Sequence, residues 1–271
     1  MKHEKFSVLL PIYNRKELEY TFPKCLSAIF NNSIRPDELV IICDGPLDWD
    51  IGSQLKEYMH ITPIKIKKLT ANVGLASALN IGLCECSFDV VARVDADDFC
   101  SNHRFERQLE FFARGFNLVG SNIQEVDERG SELKRRFVPE SAEEIKKFAM
   151  RRNPFNHMSV MFNKQQVMAV GGYPNFHLKE DYALWVLLLS QRNVKPYNIQ
   201  ECLMSATAGG SMYSRRSSFK IFKQELKMQF FLRKYLGKDL KLVFLDLLLR
   251  GAFHLVPGRL KEAFYNHILR T

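Results

Sequence analysis

An α/β fold with a mostly parallel central sheet flanked by helices is predicted by three observations. Short apolar runs alternate with helix-spaced apolar patterns through about residue 115, the sequence mark of strand–helix–strand units. Polar residues fall just past the ends of those runs, at Asn14, Asp44 and Asn72 and at Asp95, Asp97 and Asp98. Ligands of such sheets bind beyond the carboxyl ends of the strands, so one shared location is expected for all of them. Turn chemistry marks the same places, most sharply at Asp44-Gly45-Pro46.

Residues 7–12 are a compact apolar run containing Pro11 and predict the first strand. A helix over about 17–30 follows, with Leu18, Phe22, Cys25, Leu26 and Ile29 on one face. Residues 39–43 predict a second buried strand, about 51–58 a weaker helix and 64–69 a third strand. Leu75, Ala78, Leu79, Gly82 and Leu83 mark the next helix, and 90–94 the fourth strand. Beyond Phe112 the pattern changes. Strands are expected at 118–120 and 123–126, a turn at 127–130 and a return strand at 133–137. Ser141 to Glu144 is a capping box that opens a helix to about Met150. A short strand at 159–162 and a loop at Gly171-Gly172-Tyr173-Pro174 come next, then an apolar helix over 181–189 directly after Glu180. From about 217 the chain reads as helical and basic.

With 46% hydrophobic residues, a substantial core is within reach and global disorder is excluded. The excess of 39 basic over 30 acidic residues, net +9, favours anionic partners: nucleotide diphosphates, anionic lipid or nucleic acid. An aromatic-basic recognition motif is lacking, which argues against nucleic acid. The cysteines are scattered without zinc spacing and suit a reducing cytoplasm. The N-terminus leads into a strand rather than a signal-peptide core, and no uncharged run approaches the roughly 18–20 apolar residues of a membrane span.

The chemistry concentrates after the fourth strand, in Arg93-Val94-Asp95-Ala96-Asp97-Asp98. Side chains of an extended chain alternate, so Asp95 and Asp97 point the same way. Two such charges repel unless a cation sits between them, and a divalent ion that itself holds a diphosphate is the natural occupant. The alternative is an ordinary acidic turn.

Pro11-Ile12-Tyr13-Asn14, Asp44-Gly45, Asn72-Val73-Gly74-Leu75 with Asn80-Ile81-Gly82, the Arg93 to Asp98 segment and Glu180-Asp181-Tyr182-x-Leu184-Trp185 together resemble family 2 glycosyltransferases in order and spacing. Arg151-Arg152-Asn153-Pro154-x-Asn156-His157 is similar to the exopolysaccharide and O-antigen members. The resemblance implies a GT-A catalytic domain over 1–215, with a nucleotide-binding half to about 115 and an acceptor half after it. A helical, basic-amphipathic region over 216–271 would follow. It further implies an inverting, metal-dependent hexosyltransferase that moves glucose or galactose from a UDP-sugar, with Mn²⁺ or Mg²⁺, to a lipid-diphosphate-linked saccharide. A catalytically silent nucleotide-sugar-binding partner in an assembly complex is the competing expectation.

On that resemblance Pro11, Tyr13, Asn14, Asp44, Asn72 and Asn80 are expected around the donor nucleotide. Arg93, Asp95, Ala96 and Asp97 are expected at the diphosphate, with Asp97 the first choice of direct metal ligand; Asp95 either binds the metal, through water, or contacts the ribose, and Asp98 supports either. Asp44 either accepts from the base or makes an Asx turn before Gly45. Asn72 and Asn80 are ligands or else plain loop and helix-face polar groups. The late arginine and histidine that many relatives carry near residue 205 are absent, which leaves Arg215 and Arg216 as candidates for that charge. Asp181 is the expected general base and Glu180 the residue that orients the acceptor, although the two could exchange roles. Asn156, His157 and Trp185 are expected on the acceptor side; His157 is otherwise a hydrogen-bonded structural histidine, and the helical spacing of Leu184, Trp185 and Leu188 equally suits a core face. Arg104 either pairs with the aspartates or caps the helix it enters. The tail from 240 onward is too charged to span a membrane; it either lies in a lipid interface, placing the protein peripherally on the inner face of the plasma membrane, or packs in a core or dimer.

Overall fold

The computed structural model describes residues 3–127, 130–207 and 219–255. The chain divides into two compact units, 1–208 and 209–271. In the first, the elements run β1 (Phe6–Ile12), α1 (Leu18–Phe30), β2 (Glu38–Cys43), α2 (Ile51–Leu55), β3 (Ile64–Lys68), α3 (Leu75–Glu85) and β4 (Val90–Arg93). They continue through β5 (Asp98–Cys100), α4 (Arg104–Ala113), β6 (Leu118–Val126), β7 (Glu132–Arg136), α5 (Ala142–Ala149), β8 (Met161–Asn163), α6 (Lys164–Ala169), α7 (Glu180–Leu189) and β9 (Pro196–Thr207). A 3₁₀ turn at His157–Ser159 precedes β8.

One mixed sheet carries them all in the order β3-β2-β1-β4-β8-β6-β9-β5, with β7 on the far part of β6. The first four strands are parallel, so their carboxyl ends, and the loops after them, open on one edge. β8 is antiparallel to β4 and brings the 153–160 segment alongside that edge. Every residue of β1, β2 and β4 is buried, which matches strands covered by helices on both faces. Gly82 on α3 explains how closely a helix can approach: a Cβ there would stand 2.4 Å from Leu9 Cδ1 and 2.9 Å from Ile42 Cγ1. Pro23 lies inside α1 and cannot donate to the Glu19 carbonyl; Gln54 Nε2 supplies that bond at 3.2 Å.

Three expectations are corrected. The stretches at 118–120 and 123–126 are one strand, β6, with register shifts around Asn122 rather than a break. The helix expected over 51–58 ends at Leu55. β9, twelve residues long and paired on both sides, was not expected as a strand, nor were β5 and α6 expected as elements. β9 carries Asn198 at a buried position and Gln200 at an exposed one. Their amide nitrogens bond to carbonyls far along the chain: Asn198 Nδ2 donates to Pro139 and Pro154, and Gln200 Nε2 to Val138.

The second unit contains α8 (Phe219–Leu236) and α9 (Leu240–Leu255). Gly237, at φ +69°, ends α8, and Asp239 accepts from the Lys241 amide at the start of α9. Lys238 is buried between the helices and donates to Gln229 Oε1 and Asp246 Oδ2, each at 2.5 Å. On α9, Leu240, Phe244, Leu245, Leu248 and Leu249 are exposed, whereas Val243 is buried. No described helix is long and apolar enough to cross a membrane.

Candidate active site

The site forms where β1, β2 and β4 end. Asp44, one residue past β2, is nearly buried and its carboxylate accepts the amides of Val73 at 2.6 Å and Gly74 at 3.1 Å. It therefore clamps the loop before α3, an arrangement different from the Asx turn set out above. Asn72 is exposed beside it and donates to the Asp44 carbonyl at 3.2 Å. Asn14 ties the loop after β1 to Asp48, donating at 2.6 Å, and Tyr13 stands exposed. Pro11 is buried within β1 and Ala96 within the acidic turn.

Asn80 does something else. Its amide accepts from the Tyr173 N–H at 2.7 Å and donates to the Tyr173 carbonyl at 2.9 Å. Gly172, at φ +74°, makes room for this clasp, because a Cβ there would lie 2.4 Å from Asn80 Oδ1. Both ends of the Asn80 amide are thus engaged by the loop at Gly172 and Tyr173, a structural use of this side chain.

At the acidic turn, Asp95 pairs with Arg93 and Asp97 pairs with Arg15. The Asp95 and Asp97 side chains stay about one third open to solvent, whereas Asp98 is buried at the start of β5. Burial first, then Asp95 and Asp97, push the Asp98 carboxyl well above the usual range. Arg93 is fully buried, and its charge acts on Asp95 and Asp98 on one side and on Glu180 and Asp181 on the other. The Tyr173 phenol feels Asp95, Glu180 and Asp181 together. The acidic turn and the start of α7 therefore lie within electrostatic reach of the same two groups, Arg93 and Tyr173.

Burial, and then Asp181, raise the Glu180 carboxyl to about 7. Burial also raises Asp181, opposed by hydrogen bonds from the Tyr182 amide and from Asn153. His157 shares a 3.0 Å hydrogen bond with the Tyr173 hydroxyl, and burial together with Arg93 keeps its imidazole well below the usual pKa. A neutral ring follows. Trp185 is fully buried against Phe155 and His157 and offers no surface to a ligand, so it reaches the site only through His157. Asn156, also buried, spends its amide on the Ser121 carbonyl at 2.9 Å. Arg215 and Arg216 lie outside the described residues.

Arg104 takes neither of its expected parts. Its buried guanidinium donates to the Arg93 carbonyl at 2.8 Å and to Gln108 Oε1 at 2.9 Å, bracing β4 from behind. Two residues escaped sequence reasoning. Arg15, which also lies 5.1 Å from the centre of the Tyr13 ring, directly follows Asn14, a basic residue just past a strand end and therefore a readable signal. Asn153 stands next to Asp181 in space but 28 positions away in sequence, and nothing local announces that contact.

Among the described residues no three His, Cys, Asp or Glu side chains converge into a ready-made cation cage. Asp95 and Asp97 supply oxygen donors on a single turn and leave most coordination positions to other groups. That donor set fits Mg²⁺ or Mn²⁺, which are commonly held by one or two carboxylates plus substrate phosphates.

The glycosyl transferase family 2 model matches residues 7–171, which span β1 to the loop after α6. The chain belongs to that family. It is 35% identical over 225 residues, 82% of this chain and 84% of the relative, to the amylovoran biosynthesis glycosyltransferase AmsE of Erwinia amylovora. It is 32% identical over 269 residues, 98% of this chain and 97% of the relative, to the UDP-Gal:α-D-GlcNAc-diphosphoundecaprenol β-1,3-galactosyltransferase of Escherichia coli. Among solved structures, TarS 1–349 of Staphylococcus aureus in complex with UDP-GlcNAc superposes with a TM-score of 0.67 at 15% identity, covering 97% of this chain and 76% of that one. The mannosyltransferase PcManGT of Pyrobaculum calidifontis in complex with GDP-Man and Mn²⁺ gives 0.62 at 13%, covering 98% and 79%. The fold is the GT-A fold, with helices following it.

Proposed function

We propose that this chain is an inverting hexosyltransferase of bacterial O-antigen or exopolysaccharide assembly, taking galactose or glucose from a UDP-sugar to a lipid-diphosphate-linked saccharide. The observation that carries this is that the buried Arg93, ion-paired to Asp95 beside Asp97, also acts on Glu180 and Asp181 at the start of α7. The sugar and acceptor follow the Escherichia coli relative, whose name specifies UDP-Gal and a GlcNAc-diphospholipid. Use of a divalent ion accords with PcManGT, solved with Mn²⁺.

Asp97 and Asp95 would hold the cation, which when bound neutralises charge on the departing diphosphate. Arg15, within reach of Asp97, adds positive charge at the same place. Asp44 holds the loop at 72–74, which would contact the nucleotide. Asp181 takes the proton of the acceptor hydroxyl, which is a poor nucleophile until then. Single displacement from an α-linked donor yields a β linkage. The exposed leucines and Phe244 of α9, with Lys241 beside them, suit an anionic lipid surface on which a lipid-linked acceptor would be met.

The test is a panel of UDP-, GDP- and dTDP-sugars with Mn²⁺, scored by nucleotide release with and without a GlcNAc-diphospholipid mimic. Acceptor-dependent release from UDP-galactose or UDP-glucose is expected. Release that is absent for every donor, or unchanged in Asp181→Asn, overturns the reading.

A further inference from the structure

Asp181 is held at two points. Its Oδ2 accepts from Asn153 Nδ2 at 2.6 Å and its Oδ1 from the Tyr182 amide at 2.7 Å. The Asn153 amide has only one orientation open to it: Oδ1 accepts from the Phe155 N–H at 3.2 Å, so the nitrogen faces Asp181. Pro154, between those two residues, restricts the backbone of this Asx turn. The same loop is tied to the same helix a second time, because the Tyr182 hydroxyl donates to the Ala149 carbonyl at the end of α5 at 2.6 Å. Glu180, by contrast, takes its hydrogen bonds from main-chain amides, its own and that of Lys179.

We propose that Asn153 is the positioning residue that assigns proton abstraction to Asp181 rather than to Glu180. This rests on the transfer reaction proposed above. The two donors occupy one lone pair on each Asp181 oxygen and fix the plane of the carboxylate. The remaining lone pairs are then aimed before the acceptor arrives, which removes a reorientation from the reaction. In the step itself the acceptor O–H bond breaks and its proton goes to Asp181. The freed oxygen bonds to the anomeric carbon, and the bond from that carbon to the diphosphate oxygen breaks with its electron pair leaving on UDP. A donor on the carboxylate also favours its anionic, proton-accepting form over the acid.

The experiment compares pH profiles of kcat for the wild type, Asn153→Ala, Asn153→Ser and Asn153→Asp, alongside Asp181→Asn. Asn153→Asp retains an acceptor for the Phe155 amide, so the turn persists while the donor to Asp181 is replaced by a like charge. Loss of the donor is expected to lower kcat at neutral pH by about 10- to 100-fold and to move the acid limb up by about one pH unit. The shift should be larger for Asp than for Ala, with rescue by Ser, which retains a hydroxyl donor; donor KM stays put. An acid limb that does not move in Asn153→Asp overturns the proposal. If Asn153→Ala does not fold, Asn153→Asp decides alone. Should Asp181→Asn turn over like wild type, the base reading itself has failed; if it is inactive while Asn153→Asp keeps the wild-type profile, only the part given to Asn153 falls.

Discussion

At the amino-terminal edge of the parallel strands, buried Glu38 receives the Ser7 hydroxyl at 2.8 Å, the Ser87 amide and hydroxyl each at 2.8 Å, and Lys65 Nζ at 2.7 Å. At the carboxyl edge of the same strands, Asp95, Asp97, Asp98, Glu180 and Asp181 crowd around two arginines, Arg15 and Arg93. Burial opposes ionisation at both edges. At Glu38 the hydrogen bonds from Lys65, Ser87 and Ser7 outweigh it and lower the pKa; at Asp98 and Glu180 neighbouring carboxylates add to it and raise the pKa. One edge is a satisfied network that stabilises the fold. The other sets five carboxylates against two arginines, an excess of like charge that raises carboxyl pKa values, which is how sites of catalysis differ from sites of structure.

Four experiments break or sharpen this contrast. The largest effect is expected from Asp181→Asn, a loss of about 10²- to 10⁴-fold in kcat with UDP affinity, measured by calorimetry, retained. Glu38→Ala should do the opposite: activity per folded molecule persists, while stability in urea falls by about 2 kcal/mol as hydrogen bonds to a buried charge are lost. Equal damage to turnover in both variants would erase the distinction between the edges. Arg15→Gln frees Asp97 from a competing cation, so Mn²⁺ binding without nucleotide, read by EPR, should tighten severalfold; weaker binding would remove Arg15 from that competition.

The smallest effect is in pH dependence. Glu180 sits near 7 when folded and about 4.3 when unfolded, so the folded state holds the extra proton between those values. Stability contributed by this group therefore falls as pH rises from about 4.3 to 7. Glu38 has the reverse sign: its contribution is present above the unfolded value and is lost as pH falls through the lowered folded one. As pH rises from about 4.3 to 7, melting curves of Glu180→Gln should show less destabilisation than wild type, and identical slopes would refute the assignment.

The first half of the chain was legible because each local signal agreed with the tertiary arrangement. The buried runs of β1, β2 and β4 are apolar throughout, and α1 shows its core stripe in Leu18, Phe22, Cys25, Leu26 and Ile29. β9 was hidden for a physical reason. A strand paired on both sides whose Asn198 and Gln200 bond to distant carbonyls has neither clean alternation nor an apolar run. Asn80 looked like a possible ligand in a familiar pattern, and only the loop at Gly172 and Tyr173, more than ninety positions away, reveals its structural use.

Residue order alone determined the alternating architecture, the gathering of polar groups at strand ends and the two acidic segments, because turn chemistry and hydrophobic period act over a few neighbours. Which carboxylate pairs with which arginine, that Trp185 is sealed inside, and that Asn153 donates to Asp181 were decided by tertiary structure. Those contacts join segments that share no local signal, and only close packing brings their donors and acceptors within hydrogen-bond distance.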